Sequence, residues 1–494
     1  MNITKAVTLL IMVFLLVIGS QSVRTLDRFS EAIIAPGPNT VGEAGKVYYA
    51  NRAMVGETIF DNGSERPYYS SAHGALLHSS VGWLGKIVGA KKTGLYYIGR
   101  SLSVLATVFA LVLAGSILRS MGIGVIWIGG LWVAFFAVWE VVYHAVSYRP
   151  DHWILLMSVS QCTLLMRRSN SLPVLFLLGV LPAVAFYIKA PGIWIIAPTI
   201  LILLAEQRWK AVATTSSVFV VAIVSSITGL NMLSDGTFLA ATRNTMGVGF
   251  SWSQTIHSLN VPALWPMLAS PLLLFFGQAY NIGNHHKKLN VLMIFWSLSL
   301  LTSVVSSGRI GSDSYYFVEP YFFGLILITI WLERQWMVHD GHNLRRLGVA
   351  LSVILVVGIF GIRNVIDHFR RPLIGIALAE TLYFQNDRRK LAEHVNSLGL
   401  NCFSNDAGLN VLLDDPAILE PLVPSLMIRN GNLNMETMVG PVQRKEYDII
   451  VFTGRRSVYR GVTHLPDHFF SALNNNYILS PEWSTRYQIY KRLP

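Results

Sequence analysis

The stretch VSYRPDHWILLM, residues 146–157, places an arginine, a proline and an aspartate at the start of an apolar run. Similar runs recur from the N-terminus to about residue 366, and about 20 apolar residues suffice to cross a membrane as a helix. Charge at such a boundary is costly unless it is solvated, paired or functional. The stretch therefore predicts a membrane-spanning helix, and it makes Arg149 and Asp151 candidate site residues.

The composition of the whole chain supports this prediction. Of its 494 residues 52% are hydrophobic and only 13% are charged, whereas about a quarter of the residues of a soluble domain are charged. The net charge of +12 arises mostly from Lys and Arg in short loops between apolar runs, as the positive-inside rule requires. We therefore expect membrane lipids, and no nucleic acid, as partners. Cys162 and Cys402 lack metal-ligand spacing and are not expected to pair.

The apolar runs predict an α-helical polytopic membrane protein with about eleven transmembrane helices. The first run resembles a signal peptide but is longer than a usual signal, so it is expected to remain as an uncleaved helix. The composition changes after residue 366, which predicts a transmembrane domain, 1–366, and a small soluble α/β domain, 367–494. The predicted helices are 6–23, 97–118, 123–142, 152–167, 171–188, 191–206, 211–230, 262–280, 289–307, 316–333 and 347–366.

The basic loops predict the orientation of the chain, because they all fall on one side if the N-terminus is cytoplasmic. The opposite side then receives the loop 24–96, the loop 143–150, the loop 231–261 and the C-terminal domain. A bacterial inner membrane with a periplasmic C-terminal domain fits this arrangement, and an endoplasmic reticulum membrane with a luminal one is the eukaryotic equivalent. The basic residues are Arg119, Arg167, Arg168, Arg208, Lys210, Lys287, Lys288, Arg345 and Arg346.

Two regions on the outer side have secondary structure of their own. Within the loop 24–96, VGEAGKVYYANRAMVG and GALLHSSVGWLGKIVG carry apolar residues at helical spacing, which predicts two amphipathic helices at the membrane surface. In the C-terminal domain, LAEHVNSLG predicts a helix, NCFSND a strand and turn, YDIIVFTG a buried strand and RYQIYKRL an alternating strand.

Several polar residues on the outer side are candidates for a site, and each also has an ordinary structural explanation. Asp151 follows Pro150 at a helix start, where an acid complements the helix dipole, and Glu43 fits a first helical turn in the same way. Lys189 is explained as a snorkelling lysine, and Arg309 and Tyr315 as interface anchors. The histidines, including His73, lack metal-ligand spacing and are more often packing residues.

Taken in order, several segments resemble one known family. They are GEAGKVYYANRAMVGETIF, RPYYSSAHGALLHSSVGWLGKIVG, GRSLSVLATVFALVLAGSILRSMG, YRPDHWILLMSVSQCTLLM, YIKAPGIWIIAPTILILL and GSDSYYFVEPYFFGLILI, followed by the C-terminal segments NCFSNDAGLNVLL and YDIIVF. Their order and spacing resemble the GT-C superfamily of membrane glycosyltransferases, in the branch of the protein O-mannosyltransferases and the lipid A aminoarabinose transferases. One departure is Gly42-Glu43, where many members have Asp-Glu.

The resemblance implies a sugar donor on a polyprenyl phosphate and a lipid, glycan or protein acceptor at the outer face. Inversion at the anomeric carbon needs a base for the acceptor hydroxyl and stabilisation of the leaving phosphate. The resemblance makes Glu43 the expected base, with Asp151 sharing that role, orienting its surroundings or joining a divalent-metal site. A divalent cation is the one candidate cofactor.

The expected substrate-binding residues are Arg149, Lys189, Arg309, Tyr315 and His73. The three cations among them suit a lipid-phosphate leaving group.

Other functional classes stay open from the residues alone. A transporter or flippase of lipid-linked sugars would need charges deep in the bundle or broken helices in two repeated halves, and the sequence has neither pattern. A non-catalytic scaffold or receptor remains an alternative because Gly42 replaces an acid of the family. An O-antigen ligase or polymerase is a nearer alternative within the transferase class.

Overall fold

The structure, a computed structural model, describes most of the chain. The described residues are 23, 29, 32–33, 35, 37–38, 42–60, 66–67, 74–136, 143–246, 249–259, 286–309, 312, 314–337, 374–419, 428, 431, 433–453, 458–459, 462–463, 465, 467–480 and 487–494.

The described residues are mostly helical, with a small sheet near the C-terminus. The α-helices are α1 Glu43–Val55, α2 Ala75–Val88, α3 Gly94–Ser120, α4 Val125–Phe135, α5 Asp151–Met166, α6 Leu172–Ile188, α7 Ile196–Ala205, α8 Trp209–Leu233, α9 Thr237–Met246, α10 Trp252–Leu259, α11 His286–Ser307, α12 Val318–Met337, α13 Ile374–Ser397, α14 Ala407–Leu412, α15 Glu436–Gln443 and α16 Asp467–Asn476. Short 3₁₀ turns cover Tyr143–Val146, Ala190–Ile195 and Ser314–Phe317. The strands are β1 Cys402–Ser404, β2 Ile449–Thr453, β3 Val458–Tyr459, β4 Val462–Thr463, β5 Tyr477–Ser480 and β6 Tyr487–Arg492.

Four of the described helical segments are long and apolar enough to cross a membrane: Gly94–Ser120, Trp209–Leu233, His286–Ser307 and Ser314–Arg334. The predicted polytopic helical fold with a small α/β part is confirmed. One predicted helix, 191–206, differs locally, because it starts as a 3₁₀ turn that contains Pro191 and Gly192. The predicted helices 6–23, 262–280 and 347–366, and the end of 123–142, lie outside the described residues.

The chain forms two compact units, and neither is a continuous segment. The first unit contains Met1–Ala32, Arg100–Ile223 and Phe250–Ile374, and the second contains Ile33–Gly99, Val224–Gly249 and Gly375–Pro494. Residues 33–99 and the C-terminal residues from 375 onward therefore belong to the same unit. The predicted division into 1–366 and 367–494 stays a prediction.

In the first unit, α11 packs against α5, α7 and α12, and α12 also packs against α4 and α5. A buried amide on α5 joins this helix to α6 and α7. The Gln161 side chain on α5 donates to the Leu178 carbonyl of α6 at 2.8 Å and to the Thr199 hydroxyl of α7 at 2.7 Å. Polar side chains commonly join helices in this way where no water is available. This contact fixes α5 relative to α6, and the candidate site lies at the ends of these two helices.

In the second unit, a four-stranded sheet has the order β1-β2-β6-β5, with β1 and β2 parallel and the other pairs antiparallel. Successive residues of a strand point to opposite faces, and both faces of this sheet are covered. Phe403 and Ile450 pack with Phe469 of α16 on one face. Cys402 and Val451 pack with residues of α13 and α14 on the other. The predicted strands and the predicted helix 391–399 are confirmed.

Helices α1 and α2 pack closely on each other within the second unit. A side-chain carbon at Gly82 of α2 would collide with the Ala50 carbonyl of α1, so only glycine permits this approach. Tyr49 of α1, Ala75 of α2 and Leu419 form one buried apolar cluster. The outer-loop helices therefore pack against a segment that lies more than 300 residues further along the chain.

Candidate active site

Asp151 is the first residue of α5 and is only 5% exposed. The Lys189 ammonium donates to Asp151 Oδ1 at 2.7 Å, and Arg149 Nε lies 3.3 Å from Asp151 Oδ2. Pro150 occupies the N-cap position, and its helix start has no side-chain cap hydrogen bond. The carboxylate is therefore paired with two cationic side chains in addition to its favourable place in the dipole of α5.

Lys189 reaches Asp151 because the chain turns sharply after α6. The Lys189 backbone is extended, and the Gly192 N–H donates to the Lys189 carbonyl at 2.8 Å. A side-chain carbon at Gly192 would collide with the Ala185 carbonyl of α6 and with Ile154 of α5, so the absence of a side chain permits this turn. Lys189 is buried. It is therefore a paired lysine within the first unit rather than a snorkelling one.

Aromatic rings cover the two cations. The guanidinium carbon of Arg149 lies 3.8 Å from the centre of the Tyr315 ring, and the Lys189 ammonium lies 4.0 Å from the centre of the Tyr316 ring. The two tyrosine rings are stacked with centroids 4.7 Å apart, and His144 meets Tyr315 edge-on. Cations are attracted to the faces of aromatic rings. The 3₁₀ turn Ser314–Phe317 thus holds both cations beside Asp151.

Two residues of α3 bond to the residues on either side of Asp151. The Ser103 hydroxyl donates to the Arg149 carbonyl at 3.3 Å, and Thr107 Oγ1 lies 2.9 Å from His152 Nδ1. Arg309 follows α11, and its backbone forms an isolated bridge with Phe250. The charge of Arg309 also acts on the Tyr316 hydroxyl. Four predicted site residues, Arg149, Asp151, Lys189 and Tyr315, therefore lie together, with Arg309 near them.

A small, partly open cavity lies beside these residues. Glu319, in the first turn of α12, lines it together with Asp151 and Lys189. The Glu319 carboxyl group accepts hydrogen bonds from the Ser158 hydroxyl and, at 3.2 Å, from the Trp194 indole N–H. The full lining is Asp151, Ile154, Lys189, Pro191, Gly192, Trp194, Thr302, Ser303, Ser306, Tyr315, Tyr316, Val318 and Glu319.

The charges at Asp151 suit the binding of an anion. Arg149 and Lys189 contribute two positive charges and Asp151 one negative charge, which leaves a surplus of one positive charge in this cluster. An ammonium group has three N–H donors, and one of those of Lys189 is used by Asp151. Buried charges are tolerated when they are paired, and here the pairing also orients the cations. The cluster can therefore hold a phosphate group through the remaining donors.

The other predicted residues lie elsewhere in the chain. Glu43 is buried in the first turn of α1, in the second unit. Beside it, the Lys46 ammonium donates to the Gly42 carbonyl at 2.6 Å, and a side-chain carbon at Gly42 would lie 3.1 Å from the Lys46 nitrogen. Burial and, secondarily, the Lys46 charge lower the pKa of His78 to about 3. His73 lies outside the described residues.

No cluster of three or more His, Cys, Asp or Glu side chains suitable for a metal ion occurs among the residues that the structure describes. The divalent cation therefore stays a prediction. The predicted site also lacks several residues that line the cavity, and Glu319 is the most important of them. The sequence did contain a sign of this residue, because an acid just before the apolar run 322–331 is unusual and often functional.

The fold is similar to those of solved membrane glycosyltransferases. ArnT from Cupriavidus metallidurans bound to undecaprenyl phosphate aligns with a TM-score of 0.55 and 11% identity, over 100% of this chain and 99% of that one. The arabinofuranosyltransferase AftD from Mycobacteria aligns with a TM-score of 0.52 and 10% identity, over 97% of this chain and 40% of that one. No protein-family model matches the sequence, and no curated protein does.

These alignments show the fold of the chain. The chain is a polytopic membrane protein with the GT-C glycosyltransferase fold, as the sequence resemblance predicted. At this level of identity the similarity establishes the fold alone.

Proposed function

We propose that the protein is a membrane glycosyltransferase that takes a sugar from a polyprenyl-phosphate donor and transfers it to an acceptor at the outer face of the membrane. The observation that carries the proposal is the ion pair of Lys189 with Asp151, which lines a cavity in a chain with the GT-C fold and has Arg149 on its other side. ArnT, which shares this fold, was solved with undecaprenyl phosphate bound. The same class of lipid is the donor carrier that we propose here.

In this proposal, the donor phosphate lies against Lys189 and Arg149, with Arg309 adding positive charge. Charge-assisted hydrogen bonds from lysine and arginine are among the strongest that a phosphate can receive. They would stabilise the negative charge that grows on the phosphate as it leaves. Asp151 touches both cations and would orient them before the donor arrives, which is the role of a preorganised electrostatic site.

We assign the role of general base to Glu43. The acceptor oxygen attacks the anomeric carbon from the face opposite the phosphate, and the acceptor hydroxyl proton moves to the Glu43 carboxylate. The bond between the anomeric carbon and the phosphate oxygen breaks, and its electron pair leaves with the polyprenyl phosphate. The sugar is therefore transferred with inversion. The acceptor would be a lipid, a glycan or a protein, and His73 would assist in binding it.

The proposed location follows from the distribution of basic loops. We place the protein in a bacterial inner membrane, with its N-terminus in the cytoplasm and its C-terminal domain in the periplasm. Labelling of single cysteines introduced at two exposed residues, Val55 on α1 and Met435 in the C-terminal part of the chain, tests this orientation in intact cells. If an impermeant thiol reagent added from the outer side leaves one of these cysteines unlabelled, the site model is wrong.

The catalytic proposal is tested with the full-length protein in lipid nanodiscs, a panel of polyprenyl-phosphate sugars and an envelope extract that supplies the acceptor. The readout is acceptor-dependent release of polyprenyl phosphate. We expect Lys189→Gln and Glu43→Gln each to reduce the rate by about 100-fold or more, in line with the loss of a charged transition-state contact or of a general base.

A matched control removes a charge at the other end of α5. Arg208 bonds to Asn170 and Glu206 just beyond the C-terminal end of that helix, about 24 Å from Asp151 along its 16 residues. Arg208→Gln should therefore leave the rate within about twofold of the unmodified protein. If Lys189→Gln and Arg208→Gln behave alike, Lys189 does not hold the donor phosphate and the proposed site is wrong.

A further inference from the structure

We propose that Glu319 recognises the sugar of the donor, and that it does so by accepting hydrogen bonds from sugar hydroxyl groups. This inference rests on the proposed function, since it divides one donor-binding cavity into a phosphate part at Lys189 and a sugar part at Glu319. It goes beyond that function because it names the residue and the contacts that distinguish a sugar-bearing lipid from a bare lipid phosphate.

The geometry at Glu319 leaves acceptor capacity for a ligand. A carboxyl group has two oxygens, and each can accept more than one hydrogen bond. In the structure its two oxygens accept one hydrogen bond each, from Ser158 and from Trp194. These donors lie on α5 and in the 3₁₀ turn Ala190–Ile195, so they hold the carboxylate from two neighbouring elements. No further donor to this carboxyl group is found among the residues that the structure describes, so its remaining lone pairs can accept hydroxyl groups inside the cavity that Glu319 lines.

Other residues that line the cavity have complementary chemistry. Thr302 and Ser306 are one helical turn apart on α11, and both line the cavity. Hydroxyl groups both donate and accept hydrogen bonds. Thr302 and Ser306 can therefore bond to those sugar hydroxyl groups that do not donate to Glu319. Trp194 and Tyr316 add aromatic surface to the same lining, and a sugar ring has apolar C–H faces that suit such surfaces. A carboxylate, two hydroxyls and aromatic rings together form a lining for a polyhydroxylated ring.

Charge separates the two parts of the cavity. Lys189 and Arg149 attract a phosphate group through their positive charges, and the Glu319 carboxyl group has no such charge to offer it. A neutral sugar needs no cation, and its hydroxyl groups can form hydrogen bonds with the carboxyl oxygens. Glu319 therefore has no useful contact with the phosphate but a favourable one with the sugar.

The experiment compares two kinds of lipid on the same protein. Binding of undecaprenyl phosphate and of polyprenyl phosphomannose, phosphoglucose and phosphoarabinose is measured on the full-length protein in nanodiscs. We expect at least one sugar-bearing lipid to bind the unmodified protein more tightly than undecaprenyl phosphate. Glu319→Gln should lower that affinity about tenfold or more and should leave the affinity for undecaprenyl phosphate within about twofold.

Two further variants serve as controls. Lys189→Gln should weaken the binding of every lipid phosphate, with or without a sugar. Ser306→Ala removes a cavity hydroxyl without changing charge, and it should weaken the sugar-bearing lipid alone, by several-fold. This variant also keeps the test decisive if Glu319→Gln does not fold, as judged by size-exclusion chromatography.

Each result has a defined meaning. Equal weakening of both kinds of lipid by Glu319→Gln, or no effect on either, overturns the assignment of Glu319 to the sugar. A preference of the unmodified protein for undecaprenyl phosphate over all three sugar-bearing lipids also overturns it, and leaves the phosphate site intact. If the unmodified protein binds none of these lipids, the proposed function itself fails, and this inference fails with it.

Discussion

Replacing Asp151 with asparagine should destabilise the protein far more than the loss of a helix-terminal acid would. The substitution keeps the size of the side chain but leaves Lys189 and Arg149 without their carboxylate. Removing one member of a buried ion pair costs about 3–5 kcal/mol, because the remaining charge stays buried without compensation. Removing an exposed acid from a helix start costs about 1 kcal/mol or less. The two explanations of Asp151 therefore differ by several-fold in the expected loss of stability.

The measurement is a double-mutant cycle on the free energy of unfolding, obtained by titration with sodium dodecyl sulfate in mixed micelles. Asp151→Asn and Lys189→Gln are made singly and together. Because the hydrogen bond between these residues joins two charged groups, we expect a coupling energy of about 1.5–3 kcal/mol. The double variant should therefore be more stable than the sum of the single losses predicts.

The reasoning would be refuted by a loss of about 1 kcal/mol or less for Asp151→Asn, together with additive effects in the double variant. Asp151 would then act only through the dipole of α5, and Lys189 would be held by Tyr316 and its own backbone turn. Arg389→Gln, which removes an exposed charge paired with Glu393 outside the cavity, provides the control and should cost less than about 1 kcal/mol.

Two further predictions concern α1 and α2. The pKa of His78 is about 3 in the folded protein and about 6.5 when unfolded, so its contribution to stability is complete above pH 6.5 and is lost as the pH falls towards 3. Between pH 7 and pH 5 the unmodified protein should lose about 2 kcal/mol more than His78→Gln, and equal losses by denaturant titration would exclude this role. Gly42→Asp should bring a carboxylate to the Lys46 ammonium, which a side-chain carbon at residue 42 approaches to 3.1 Å. We expect this variant to fold with a melting temperature no lower than that of the unmodified protein; a lower one would show that the pair does not form.

The membrane-spanning helices could be predicted well because lipid imposes a simple rule on the sequence. A spanning segment must be apolar and long, so the predicted helices 97–118 and 289–307 correspond closely to α3 and α11. Hydropathy could not distinguish the 3₁₀ turn after Lys189 from the start of the next helix. Pro191 and Gly192 interrupt regular helix formation there, and both residues are tolerated in transmembrane segments.

The candidate site was only partly accessible to sequence reasoning. Asp151 and Lys189 could be selected because charges at the ends of apolar runs are unusual. Their direct contact depends on how α6 turns back towards α5, and no local pattern encodes that distance. Glu319 was missed because it lies beside a run of tyrosines, and its first-turn position has an ordinary explanation in the helix dipole. The structure adds Ser158 and Trp194, which give this carboxyl group a fixed place.

The packing of the outer-loop helices against Leu419 has a practical consequence for anyone who wishes to produce the protein in pieces. A fragment that ends before residue 375 would expose Tyr49 and Ala75 to water or lipid, because the residue that covers them would be missing. A separately expressed C-terminal segment would lose Arg66, whose guanidinium stacks on Tyr447 and bonds to Asn401. Both fragments would carry an uncovered surface and tend to aggregate. To obtain the protein in two pieces, the two fragments should therefore be coexpressed, with the division placed in a loop, rather than produced separately.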